Sequence, residues 1–246
     1  MEVIKSLENT KVKYWKKLQN KKFRDKEGLY IVEGDHLVLE AYKNKLIKEV
    51  ILEYGIDTNL DWSVNYVTKE VLNKLTSMES APTVMAVCFK LNESIIGNKV
   101  IILDTIQDPG NLGAIIRSAV AFNFDTIILG EECVDLYNDK VIRATEGMLF
   151  NINIIRRDLT QVIPILKNEN YKIYGTKLND SKNIKELYHP GKLAIVIGNE
   201  GNGIKKELLN LCDEFLSISI NPLCESLNAS VAASIIMYEL AGEKHD

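Results

Sequence analysis

Asn111 closes the turn-rich run QDPGN, and Arg117 follows six positions later. Leu112, Ile115, Ile116, Ala119 and Val120 form an apolar stripe that predicts a helix starting near Asn111. Arg117 lies off the stripe, on the helix flank, where a guanidinium can grip a phosphate through two parallel hydrogen bonds. The plainer reading makes Asn111 a helix cap and pairs Arg117 with a surface carboxylate. A second cluster, GNEGNG, holds Gly198, Asn199, Glu200, Gly201 and Gly203 behind an apolar strand. Its glycines let a ligand approach the backbone closely, yet Glu200 would repel a diphosphate. A flat ligand with a cationic centre fits better, and S-adenosylmethionine, with adenine, ribose and a sulfonium, has that character. A glycine turn with a solvent-facing carboxylate is the alternative. A third cluster, NPLCESLNASVAAS, places the cap-type residues Ser226 and Asn228 around Leu227, read here as buried. The helix that follows is apolar nearly all round, so it belongs either at the centre of the fold or in a dimer interface.

The elements that must hold these clusters alternate between strand and helix along the whole chain. Residues 6–20 read as a basic helix with Leu7, Val12, Trp15 and Leu18 near one side. GLYIVEG, IKEVILE, VNYVT and TVMAVCFK read as strands, with helices at DHLVLEAYKN and KEVLNKLTS. After a break at LNESIIGN the alternation restarts with KVIILD, DTIILG, NINIIR, YKIYGTKL, KLAIVIG and EFLSISI as strands. Their near-continuous Ile, Val and Leu content predicts a parallel sheet covered on both faces. The fold expected is α/β in two domains: 1–92, a linker at 93–98, and an open, mostly parallel sheet over 99–246. Ligands of such sheets sit beyond the carboxyl ends of the strands, where all three clusters fall.

Composition narrows the chemistry. At 46% hydrophobic and 26% charged residues, the chain has an ordinary globular balance. No apolar run approaches the roughly 18 residues needed to cross a bilayer, and the first residues lack a signal-peptide core. Four scattered cysteines and three distant histidines give no metal-ligand spacing, so reduced thiols, a cytoplasmic location and no metal are expected. Net charge is −4, but residues 1–26 carry nine Lys and Arg against three acids. Lys13, Lys17, Lys21, Lys22 and Arg24 in that segment are candidate contacts to an RNA backbone. A solvated helix face is the alternative. A nicotinamide-dependent dehydrogenase is disfavoured: the glycines do not form GxGxxG, and they come near the end of the chain, not in its first βαβ unit.

Taken together, DPGNLGAIIR, GNEGNG and ESLNASVAAS resemble the three motifs of the SpoU-type (TrmH-like) RNA ribose 2′-O-methyltransferases of the SPOUT superfamily. NTKVKYWKKL and GLYIVEGDHLVLEA, with Glu33 and Gly34, resemble the family's ribosomal-protein-like substrate-binding domain. The resemblance covers nearly the whole chain. It implies a trefoil-knotted catalytic domain, S-adenosylmethionine bound in the knot, and a homodimer. It implies catalytic roles for Asn111, Arg117, Glu200, Ser226 and Asn228. It implies a cofactor pocket built from Thr176, Gly198, Asn199, Gly201, Gly203, Ile218 and Leu227, largely through main chain. One departure stands out: Ser219 replaces the proline usual after the third-motif strand, and Pro222 comes three residues later. The substrate expected is large-subunit ribosomal RNA; a transfer RNA methyltransferase and a non-catalytic RNA-binding protein are the alternatives.

Overall fold

The structure is a computed structural model and describes residues 2–57, 63–177, 180–187, 191–199 and 201–241. It divides into two compact units. One comprises Met1–Asn92 with Asp135–Phe150, the other Glu93–Val134 with Asn151–Asp246. Asp135–Phe150 thus belongs spatially to the first unit, although it lies within 99–246 in sequence.

In chain order the first unit holds β1 (Val3–Ile4), α1 (Thr10–Lys17), α2 (Lys21–Glu27), β2 (Leu29–Glu33), α3 (Asp35–Lys43), β3 (Ile47–Glu53), β4 (Val64–Val67), α4 (Lys69–Leu75) and β5 (Val84–Phe89). Its sheet runs β1-β4-β3-β5-β2, parallel from β1 to β3 and antiparallel across β5. Val12, Trp15 and Leu18 pack with Leu29, Ile51, Leu72 and Met85 into one core, and Trp15 Nε1 donates to Glu49 Oε1 at 2.9 Å. The single helix expected over 6–20 is shorter, capped by Asn9, and a second helix follows. Asn20 caps α2, whose end is set by Gly28 at φ +66°. Glycine adopts that left-handed turn without the Cβ penalty.

Arg24 corrects an expectation. It is only 7% exposed, donates to the carbonyls of Leu18 and Gln19 at 2.9 and 2.8 Å, and pairs with Asp135. Its charge is consumed inside the unit, which removes it from the candidate RNA contacts.

The second unit runs β6 (Lys99–Leu103), α5 (Pro109–Ala121), β7 (Thr126–Leu129), then, after α6 (Asp139–Ala144) of the first unit, β8 (Asn153–Arg156), α7 (Leu159–Asn168), β9 (Lys172–Thr176), β10 (Lys182–Asn183), β11 (Leu193–Ile197), α8 (Lys206–Leu209), β12 (Glu214–Ser217) and α9 (Ala229–Leu240). The strand order is β10-β12-β9-β11-β6-β7-β8, and every described pairing is parallel. Every residue of β7 and β11 is buried, as two-sided coverage requires. β12 stops at Ser217, so the expected strand residues through Ile220 lie beyond it.

Candidate active site

Because β12, β9, β11 and β6 are parallel neighbours, their carboxyl ends share one edge of the sheet. Ile218, Thr176, Gly198 and Asp104 follow or close those four strands and therefore arrive side by side.

The first and second loops are tied by short bonds. The Asp104 N–H donates to the Ile197 carbonyl at 2.9 Å, and Asn199 Nδ2 donates to the Thr105 carbonyl at 3.0 Å. Asp104 is 2% exposed; its carboxylate accepts from the Lys205 N–H and the Thr105 hydroxyl, each at 2.8 Å. Lys205 Nζ reaches Glu132 at 2.6 Å and stands 4.0 Å from Asp104. The hydrogen bond to Glu132 and the nearby Asp104 charge hold its ammonium above the usual lysine value. A buried carboxylate with no donors would be costly, and here it becomes a rivet between two loops. The sequence reading did not assign Asp104 a role. An acid directly after the apolar run VIIL was its only local signal, and the partner at 205 is fixed by strand order.

The glycine loop is pinched at its base. Asn199 and Gly203 exchange two backbone hydrogen bonds of 3.0 and 2.9 Å, and Asn199 Oδ1 accepts the Gly201 N–H at 2.9 Å. A Cβ on Gly198 would lie 2.2 Å from the Gly203 carbonyl carbon and 2.3 Å from the Ile204 nitrogen. Only glycine fits there. Glu200, expected in this loop, lies outside the described residues.

The first and third motifs meet directly. Asp108, not Asn111, caps α5, accepting the Asn111 N–H at 2.8 Å, with Pro109 in the first turn. The Asn111 carboxamide is thereby released toward α9. Its Oδ1 accepts Asn228 Nδ2 at 3.0 Å and lies 3.2 Å from Ser230 Oγ. Asn228 caps α9, taking the Ser230 and Val231 N–H groups on Oδ1. Ser230 was missed by the sequence reading, since a serine inside a small-residue helix looks like filler. The two helices also meet through Ser118 and Ser234, whose hydroxyls are 2.7 Å apart, and through an edge-to-face contact of Phe122 and Tyr238.

The other candidates are placed as follows. Arg117 is exposed, off the buried stripe of Leu112, Ile115, Ile116 and Ala119, and its side chain has no hydrogen bond or ion pair with another described residue. Val120 is half-buried. Thr176 donates its hydroxyl to the Val196 carbonyl at 3.1 Å, tying the end of β9 to β11. Ser226 is exposed and its carbonyl accepts the Cys224 thiol at 3.1 Å. Leu227, expected to be buried, is half-exposed, as is Ile218; apolar groups left open at a strand edge suit contact with a ligand. Ser219 accepts Asn183 Nδ2 at 2.7 Å, so the residue in the proline position pins the third loop to β10. In the basic segment Lys13 pairs with Glu8, and Lys21 with Asp25, whereas Lys17 and Lys22 are exposed with no acidic partner among the described residues.

Comparison with known proteins agrees with this geometry. Residues 98–238 match the SpoU rRNA Methylase family, and residues 9–86 match an MRM3-like substrate binding domain. The chain is 37% identical, over 98% of its length and 100% of the relative's, to the 23S rRNA (guanosine(2553)-2′-O)-methyltransferase RlmP of Bacillus subtilis. An rRNA methyltransferase from Sinorhizobium meliloti superposes with a TM-score of 0.87 at 27% identity, covering 97% of this chain and 96% of that one. The AdoMet-bound structure of the rRNA methyltransferase from that organism gives 0.86 at 26% identity, with 97% of each chain covered. With fold, motifs and matches in agreement along nearly its full length, this chain belongs to the SpoU rRNA methylase family.

Proposed function

We propose that this methyltransferase uses S-adenosyl-L-methionine to methylate a ribose 2′-hydroxyl in large-subunit ribosomal RNA. The observation that carries the reading is the meeting of the three motifs at one sheet edge, with Asn111 and Asn228 hydrogen-bonded across it. The pocket residues fit the cofactor. The glycine loop folds tightly back on Gly198, with Asn199 and Gly203 bonded to each other, and half-exposed Ile218 and Leu227 offer apolar surface to a flat nucleoside at this sheet edge. When bound, the cofactor supplies a methyl carbon made electrophilic by a sulfonium sulfur. Arg117 is no simple base, because a guanidinium carries only donors and no acceptor. It grips the phosphate beside the target ribose and stabilises charge growing on the 2′-oxygen, while a phosphate oxygen or water takes the proton. Asn111 and Asn228 hold α5 and α9 in register, and Ser226, exposed ahead of α9, orients the sugar. Glu200 steers the guanidinium. In this reading 1–92 binds RNA, 93–98 links, and 99–246 catalyses within a trefoil knot, as a cytoplasmic homodimer. Among the described residues no helix is long and apolar enough to cross a membrane.

The test is methyl transfer from labelled cofactor to ribosomal RNA, with 2′-O-methyl sites mapped in cells with and without the gene. Arg117→Ala should lower turnover at least about 100-fold, the scale of losing a transition-state charge partner, with S-adenosylhomocysteine affinity nearly intact. Near-normal turnover in that variant removes the arginine from the mechanism.

A further inference from the structure

In the first unit, Lys17, Asn20, Lys22, Phe23 and Lys26 line an open concavity of about 400 Å³. Its lysines differ from their neighbours. Lys13, Lys21 and Lys90 each have a carboxylate partner, whereas Lys17, Lys22 and Lys26 have none among the described residues. Phe23 is half-buried and packs on the core, and Lys17 Nζ lies 5.8 Å over its ring, in the place a stacked base would take. The ring is held in place. Tyr14 meets it edge-on at 5.5 Å and 75°, and the Tyr14 hydroxyl donates to Glu27 at 2.9 Å. Beneath it, Arg24 fixes the α1–α2 turn through Leu18, Gln19 and Asp135. Asn20, which also lines the concavity, spends its carbonyl on the Phe23 N–H, so its amide NH2 remains as a donor.

A fixed aromatic face, three uncompensated ammonium groups and an amide donor are the parts that hold single-stranded nucleic acid: bases stack on the ring while cations track phosphates. An acidic peptide would use the lysines but not the ring. We infer that this concavity seats one unpaired nucleotide of the RNA substrate, its base stacked on Phe23 and its flanking phosphates held by Lys17, Lys22 and Lys26. The inference rests on the proposed RNA methyltransferase function.

The full chain would be titrated with a short fluorescent oligouridylate, with an abasic strand of the same length, and with polyglutamate. Phe23→Leu keeps the core contact and removes the stacking face; a urea melt checks that it folds. The substitution should weaken oligouridylate binding by about five- to tenfold, within the cost of one lost stack, and leave the abasic strand unaffected. Lys22→Gln with Lys26→Gln should reduce the slope of log affinity against log salt by about 1.4. Unchanged affinity and slope in these folded variants, or tighter binding of polyglutamate than of RNA, overturns the seat. Methyl transfer is read in the same preparations. A wild type that methylates ribosomal RNA alongside indifferent variants refutes the seat alone. A wild type that methylates nothing refutes the enzymatic reading, and Phe23-dependent oligouridylate binding would still support the seat.

Discussion

Asp108 takes the cap of α5, and that one substitution of roles is what gives the Asn111 carboxamide to α9. Sequence alone could not divide the work, because Asp and Asn are nearly equal as caps; only the three-residue offset to the first helical N–H groups decides. Arg117 was legible for the opposite reason: helical periodicity alone puts it outside the stripe. The thiols follow the same logic of surroundings. Burial raises the pKa of Cys88 and Cys133 and pushes Cys212 up to about 11, whereas Cys224 is exposed in the third loop. Iodoacetamide near neutral pH should therefore label Cys224 first, read by peptide mass spectrometry, and S-adenosylhomocysteine should slow that labelling several-fold by closing the loop. Glu33 offers a pH test. Burial raises its carboxyl above the usual glutamate value, partly offset by the Thr76 hydroxyl and the Arg143 charge. The folded state then binds more protons than the unfolded chain above about pH 4.5, so this group's contribution to stability falls as pH rises through its raised pKa. Urea melts should show Glu33→Gln gaining on wild type between pH values of about 4.5 and 7.5. A constant difference would show that Glu33 titrates as it does in the unfolded chain.

At the level of elements, long strands and amphipathic helices were legible, since β7 and β11 are apolar throughout and α5 carries a full stripe. What escaped was short or dictated from outside. The β1 and β10 strands have two residues each and exist only through β4 and β12. The seven residues of α2 offer little apolar periodicity, so its cap and terminal glycine had to carry the signal. The glycine loop was recognised as special, but the reason for Gly198 is the return of its own chain to within 2.5 Å of a would-be Cβ. Gly198→Ala must therefore push residues 203 and 204 outward. A stability loss of about 1–3 kcal/mol is expected for such overpacking, with S-adenosylhomocysteine affinity falling at least about tenfold (~1.4 kcal/mol). Calorimetric titration beside a urea melt separates the two effects. Unchanged affinity in the folded variant would place the cofactor away from this loop.

For the molecule as a whole, the way Asp135–Phe150 groups with the first ninety-two residues limits how its parts can be separated. Removing 1–92 would strip Arg24 from Asp135 and Ser77 from Asp139, leaving α6 without its core. Point substitutions therefore test RNA binding more cleanly than truncation. The remaining question of assembly falls on α9. Ala233, Ile236, Met237 and Leu240 are buried on one side. On the opposite side Val231, Ile235 and Tyr238 fall at i, i+4 and i+7, with Val231 46% and Tyr238 66% exposed. An apolar stripe opposite a helix's core face has reason to persist when a second copy covers it, and a twofold contact uses every side chain twice. Val231→Asp would then place two unpaired carboxylates at one interface. At about 1–3 kcal/mol for each buried unpaired polar group, the dimer dissociation constant should rise by about 100-fold or more, seen as a shift to monomer in sedimentation at micromolar concentration. Circular dichroism and urea melts would confirm the fold is kept. Two proteins both sedimenting as dimers would move the interface away from α9, and a wild type sedimenting as a monomer would refute the dimer.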